Sequence, residues 1–233
     1  MGSNLKKNTI IRLFNVSKIY GKKRALDNVS LDIERGEFVL LSGTSGAGKS
    51  TLLKCLYLAE SLSQGQILIE GMNLSRVRLR HLPDLRRRFG LIFQDYQLIP
   101  TRTVYDNVAL ALEVVGEKSA TIKKKVARVL DRCGMAEKAK ELPLTLSGGE
   151  QQRVALARAV VGAPPIILAD EPTASLDEAS AMDVMDILTE CHQGGTTVVV
   201  ATHRPSFIQS DSQRRDLILN QGRLVTNDLI ISG

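Results

Sequence analysis

A chain of 233 residues suits one α/β domain or a core with one sizeable insertion, and with aromatics at 4% and no Trp that core must be aliphatic. The net charge of +6 is compatible with nucleic acid, an anionic membrane surface or phosphate ligands and does not decide among them. Three scattered cysteines, Cys55, Cys133 and Cys191, argue against a disulfide frame or a zinc site, and no apolar run or leader suggests a membrane span or export, so a soluble protein of the reducing cytoplasm is expected.

In chain order, residues 10–17 and 25–33 read as strands around a turn at Tyr20-Gly21-Lys22-Lys23. Leu31 and Ile33 alternate with Asp32 and Glu34, which predicts a half-exposed antiparallel sheet. Phe38-Val39-Leu40-Leu41 reads as a buried parallel strand and Thr51 to Leu58 as a helix. Between them, Gly43-Thr44-Ser45-Gly46-Ala47-Gly48-Lys49-Ser50 fits G-x-x-x-x-G-K-[ST] in the strand–loop–helix context that motif requires. The glycines let backbone N–H groups turn onto an anion, and the helix directs its positive dipole end at the same place. Lys49 would reach the β- and γ-phosphates of a nucleotide, and the Ser50 hydroxyl would ligate Mg²⁺.

Residues 66–70 add a strand closed by Gly71. Pro83 to Arg88 is a basic helical segment, followed by the strand Gly90-Leu91-Ile92-Phe93 with Gln94 at its end. Asp95 to Thr103 is a loop whose Leu98, Ile99 and Pro100 are apolar where a self-contained protein more often places polar residues. One helix then aligns Val104, Val108, Ala111, Leu112 and Val115. A second aligns Ile122, Val126, Val129, Leu130 and Cys133, with Lys123-Lys124-Lys125 as its solvated back. Residues 95–160 therefore read as a helical insertion in a β/α chain, leaving about 1–94 and 161–233 for the core.

Leu146-Ser147-Gly148-Gly149-Glu150-Gln151-Gln152-Arg153 is a small-residue turn entering a helix striped by Val154, Leu156, Ala157 and Val160. It suits either an anion or a simple helix cap from Ser147 or Glu150. Pro165 to Ala169 is an apolar strand ending in Asp170-Glu171. Beside a P-loop, Asp170 can hold Mg²⁺ and Glu171 can orient the attacking water. Thr196 to Ala201 is a further strand with His203 past its end, and residues 215–219 and 223–226 pair around Asn220-Gln221-Gly222. Gln94, Asp170, Glu171 and His203 all fall at the carboxyl ends of strands, where ligands of parallel sheets collect.

Together these residues resemble the nucleotide-binding subunit of an ABC ATPase over nearly the whole chain. Gly43 to Ser50 matches Walker A, Gln94 the Q-loop, Leu146 to Gln151 the signature and Ile166 to Asp170 Walker B. Glu171 matches the catalytic carboxylate, Ser175-Leu176-Asp177 the D-loop, His203 the switch histidine and Tyr20 the adenine-stacking aromatic. The resemblance implies an α/β fold: a RecA-like P-loop core with an antiparallel β-subdomain and an inserted helical subdomain. It also implies ATP hydrolysis by Lys49, Gln94, Glu171 and His203, with Mg²⁺ on Ser50, Gln94 and Asp170. ATP would be held by Tyr20 and the stretch Gly43, Thr44, Ser45, Gly46, Ala47, Gly48, Lys49, Ser50 and Thr51, and closed over by Ser147, Gly148, Gly149 and Glu150 of a second copy. An ATP-dependent homodimer and a polytopic membrane subunit follow from the same likeness, with the chain peripheral on the inner face of the membrane.

Arg86-Arg87-Arg88, Phe93-Gln94-Asp95, Leu98 and Arg102 to Val108 narrow the resemblance to the cell-division branch, which signals across the membrane to cell-wall hydrolases. Lipoprotein-release and macrolide-export ATPases are the alternative. Two departures stand out: Arg204-Pro205 after His203, where relatives usually carry Asp, and Ala174-Ser175 before Leu176-Asp177. A DNA-handling ATPase would need a long coiled coil between P-loop and signature, yet only roughly a hundred positions separate Lys49 from Ser147. A translation-factor type would carry two cassettes, so no direct nucleic-acid contact is expected.

Overall fold

Two sheets share the chain. The computed structural model describes residues 8–203 and 214–225, so Arg204-Pro205 and position 226 of the last expected strand lie outside the described residues. Strands β1 (Thr9–Tyr20) and β2 (Lys23–Glu34) form one long antiparallel hairpin, longer at both ends than the alternation alone suggests. With β4 (Gln64–Ile69) and β5 (Met72–Asn73) they give a four-stranded antiparallel sheet of order β2-β1-β4-β5.

The second sheet runs β10 (Arg223–Val225), β9 (Arg214–Asn220), β3 (Phe38–Ser42), β8 (Thr197–Thr202), β7 (Ile166–Asp170), β6 (Phe89–Ile92). It is parallel from β9 to β6, with β10 an antiparallel edge. The central strands are buried on both faces, which is why they read as unbroken aliphatic runs. Alternate residues feed two separate cores. Leu40, Ile167, Val198 and Val200 pack toward α3 (Val104–Glu113), α4 (Ser119–Arg132), α5 (Gly148–Val160) and α6 (Glu178–Gln193). Val39, Leu41, Leu168 and Val199 pack toward α1 (Lys49–Leu56) and the antiparallel sheet. One sheet thus separates two apolar layers, and its carboxyl edge is where both layers end.

The helical part departs from the expectation in two places. The first helix stops at Glu113, because Gly116 turns left-handed (φ 76°) and Val114 already caps the end. Val115, expected on the buried face, is therefore half exposed, as is Val114. Helix α6 has no counterpart in the expected elements; it starts from an Asp177 cap that accepts from the Ser180 N–H. The basic segment Pro83–Arg88 yields only a short helix, α2 (Leu82–Arg86). Between the halves, α5 lies directly on β6: a β-carbon at Gly90 would stand 2.3 Å from the Ala159 carbonyl oxygen.

Candidate nucleotide site

The loop 43–48 leaves β3 and enters α1 through Gly48, whose φ of 108° belongs to glycine and which supplies no side-chain cap. The first N–H groups of α1 are thus free of any competing side chain. Lys49, only 6% exposed, donates to the carbonyls of Gly43 (2.8 Å) and Thr44 (3.3 Å), and its Nζ stands 3.7 Å from Glu171 Oε1. The Gly222 N–H, donating to Ala47 O at 2.9 Å, ties the loop to the β9–β10 turn.

Sheet pairing delivers the acids. Asp170 ends β7, beside α1, and Ser50 Oγ donates to its Oδ1 at 3.0 Å. Burial pushes the Asp170 carboxyl up, the Ser50 bond opposes this, and the neighbouring Glu171 charge adds to the rise. Glu171 adopts a left-handed φ of 51°, a strained conformation for this residue, held by its own N–H donating to Ala201 O at 2.8 Å. That twist aims its carboxylate between Lys49 and His203, whose Nδ1 lies 2.9 Å from Oε1. Gln94 follows β6, exposed, in a cleft of about 440 Å³ shared with Ser50, Tyr57 and Asp170.

A hydroxyl, one carboxylate and a side-chain amide are hard oxygen donors, and among the described residues no group of three His, Cys, Asp or Glu forms a cage. So sparse a set fits Mg²⁺, which keeps waters and substrate phosphates as ligands. Tyr20 is 41% exposed, with Lys18 Nζ 4.8 Å from its ring centroid.

Ser147 to Glu150 stand elsewhere. Ser147 Oγ accepts from the Glu150 N–H at 3.3 Å and Glu150 returns the bond at 2.8 Å, a complete capping box. The Lys138 ammonium, first, and the Ser147 N–H, second, pull the Glu150 carboxyl down to about 2. Gly148 faces the Tyr96 hydroxyl and Gly149 faces Leu176. Among the described residues, no hydrogen bond or ion pair joins 147–150 to 43–51. One chain therefore gathers Gly43 to Thr51, Gln94, Asp170, Glu171 and His203 around the P-loop and sets the small-residue turn apart.

Three further residues organise the site. Arg158 of α5 donates to the carbonyls of Gln97 (2.6 Å) and Tyr96 (2.8 Å), both left-handed, and burial lowers its pKa. Tyr96 shares a 2.9 Å hydrogen bond with Ser175, one of the two departures noted above. Asn107, fully buried, accepts from the Ile99 N–H and donates to the carbonyls of Ile99, Arg102 and Thr103. A polar Asn on the apolar face of α3 and an Arg inside the stripe of α5 were the available sequence signals.

A P-loop strand order with two carboxylates and a histidine at the sheet edge defines an ATP-binding cassette. The model of the ABC transporter family matches residues 26–174, and the chain belongs to that family; it is an ATPase. It is similar to the cell division ATP-binding protein FtsE of Mycobacterium tuberculosis, 45% identical over 94% of this chain and 96% of the relative. The FtsE proteins of Bacillus subtilis (43%, covering 94% and 96%) and Escherichia coli (45%, covering 92% and 97%) are similar to it as well. Among solved structures, a dimeric ATP-binding cassette in a post-hydrolysis state bound to ADP and Pi superposes with a TM-score of 0.86 at 35% identity, covering 93% of this chain and 97% of that one. A dimeric bacterial ABC transporter cassette gives 0.87 at the same identity and coverage.

Proposed function

We propose that this chain is the ATP-binding and hydrolysing subunit of a membrane complex of the FtsEX kind, which passes an ATP-driven shape change across the membrane to regulate cell-wall hydrolysis in division. The observation that carries the proposal is the Glu171 carboxylate, fixed between Lys49 and His203 on a strained backbone one residue after the Ser50–Asp170 pair. On this reading Lys49 exchanges the Gly43 and Thr44 carbonyls for the β- and γ-phosphates. Glu171 orients the attacking water, and His203 and Gln94 fix its surroundings. Tyr20 stacks on the base. Ser50, Asp170 and Gln94 hold Mg²⁺, which offsets phosphate charge.

Two copies pair head to tail, so that Ser147 to Glu150 of one cover the γ-phosphate held by the other. The dimeric relatives and the separation of the small-residue turn from the P-loop within one chain support this. The chain divides into core (about 1–94 and 161–233) and lid (about 95–160). Among the described residues no helix is long and apolar enough to cross a membrane. The proposed membrane part is a separate, FtsX-like polytopic subunit, a reading supported by the likeness to FtsE. Its cytoplasmic helix docks in the groove between core and lid, a cavity of about 600 Å³ lined by Pro83, Ile99 and the exposed Val114 and Val115. ATP binding then turns the lid and moves that helix, and the chain works at the inner face of the cell membrane.

Affinity purification from the native cell tests the proposal. An FtsX-like membrane protein should accompany the chain, and Ile99→Asp should release it while ATP hydrolysis in solution continues. Capture of a lipoprotein-release permease instead would overturn the cell-division assignment. Undiminished capture by folded Ile99→Asp would move the docking surface elsewhere.

A further inference from the structure

The stretch from Leu74 to Arg88 carries six arginines against a single acid, Asp84. Three of the six are engaged: Arg86 donates to the carbonyls of Tyr57 and Leu58 at the end of α1, Arg87 pairs with Asp84 at 2.9 Å, and Arg88 pairs with Glu70. The other three, Arg76, Arg78 and Arg80, are exposed, and none is in an ion pair among the described residues. Arg80 donates to its neighbour His81. Between Arg78 and Arg80 stands Leu79, 87% exposed, the most exposed large apolar side chain described. Beneath it runs an apolar cleft of about 420 Å³ lined by Cys55, Leu58, Leu62, Ile67, Leu74 and Val77.

A lone exposed leucine is ordinary, but this one stands between exposed guanidiniums and over an apolar cleft. A bilayer with anionic lipids offers the complement to both at once: phosphates for the arginines and, a few ångströms deeper, the acyl boundary for the leucine. A nucleic-acid strand would satisfy only the charges, and residues 74–88 hold no Phe, Tyr or Trp on which bases could stack. Position agrees, because Pro83 and Arg86 of the adjoining α2, with Arg87 just past it, line the groove proposed to receive the membrane subunit. We propose that Arg76, Arg78, Leu79 and Arg80 form a membrane-contact strip that binds the anionic bilayer surface directly, beside and independently of the protein partner. The strip lies in the segment that leads into α2, but its test needs no partner, so either proposal can fail alone.

The experiment is sedimentation of the purified full chain with vesicles of phosphatidylcholine, with and without phosphatidylglycerol. Binding should require phosphatidylglycerol and weaken as salt shortens the screening length to about 8 Å and below. The triple variant Arg76→Gln/Arg78→Gln/Arg80→Gln should bind about a hundredfold more weakly, roughly fivefold per charge, with its ATP hydrolysis in solution unchanged as the check on folding. Because the chain contains no tryptophan, the indole introduced by Leu79→Trp is a single reporter, whose emission should shift to the blue on these vesicles. Absence of phosphatidylglycerol-dependent binding by the wild-type chain at low salt would overturn the proposal. So would wild-type affinity in a triple variant that still hydrolyses ATP, an unmoved indole emission on bound protein, or displacement from the vesicles by a stoichiometric nucleic-acid oligomer.

Discussion

Two helix starts in this chain carry glycines, and they are built in opposite ways. At α1 the cap is Gly48, which offers no side chain, and the lysine that follows is buried against peptide carbonyls and a carboxylate. At α5 the cap is Ser147, reciprocated by Glu150 and backed by Lys138, so the turn is satisfied by its own side chains. The first start leaves its N–H donors for a ligand; the second satisfies its Ser147 and Glu150 N–H groups with its own side chains. The difference supports the proposed division, with chemistry at α1 and a covering role at α5, since a turn already capped by its own side chains can be presented to another molecule without reorganising.

The strongest test of that contrast is functional. Lys49→Ala should lower ATP hydrolysis by about a thousandfold or more and weaken ATP binding to the monomer, with circular dichroism unchanged. Ser147→Arg should leave monomer binding intact. Placed in a Glu171→Gln background, it should prevent the ATP-dependent dimer that Glu171→Gln alone accumulates on size-exclusion chromatography. If Ser147→Arg abolished ATP binding by the monomer, the two starts would be equivalent and the contrast would be gone.

A smaller effect separates them by stability. In Gly48→Ala the new β-carbon would meet the Ala25 carbonyl oxygen at 2.3 Å with φ at 108°, so urea unfolding should show a loss of about 3 kcal/mol. Ser147→Ala should lose only about 1 kcal/mol, the ordinary value of a cap.

The smallest effect is a pH window. The folded Glu150 carboxyl lies at about 2 against an ordinary 4.5. Because the folded value is depressed, its contribution is fully present above pH 4.5 and is lost as pH falls through about 2. Glu150→Gln should therefore melt below the wild type at pH 7, and the gap should close between pH 4.5 and 2 in paired thermal scans. A gap constant across that window would mean that the carboxylate does not serve the cap.

The P-loop and the strands around it are legible in the sequence because their causes are local. Phe38 to Leu41 and Ile166 to Ala169 are buried on both faces, and a phosphate cradle needs its glycines and lysine at fixed spacing. The alternation of Leu31 and Ile33 with Asp32 and Glu34 also marks the hairpin, though not its full length, and the two-core division leaves no mark in unbroken aliphatic runs. What escaped depends on partners far along the chain. Arg158 serves carbonyls 61 and 62 positions away, and Tyr96 meets Ser175 across 79 positions, so neither leaves a pattern in its own segment. Helix α6 was missed although Ala181, Val184, Met185 and Leu188 recur at helical spacing, with Asp183 and Asp186 on the exposed face. Val115 continued the period of α3, but Gly116 ended the helix before that period could be used.

The clamps on the connection after Gln94 have a mechanical meaning. Arg158 fixes its first part through two carbonyls, and Asn107 fixes the rest at Ile99, Arg102 and Thr103. From residue 96 to 103 there is no glycine to give way. Such a segment behaves as a stiff strut with little compliance, and the bending it refuses is displaced to Gln94 and Asp95, the exposed pair just ahead of the first clamp. In the proposed cycle a displacement of the lid would be handed on to the edge of the P-loop almost undamped. The gain of that lever would be set by one buried amide and one guanidinium, both bonded to the carbonyls of the connection itself.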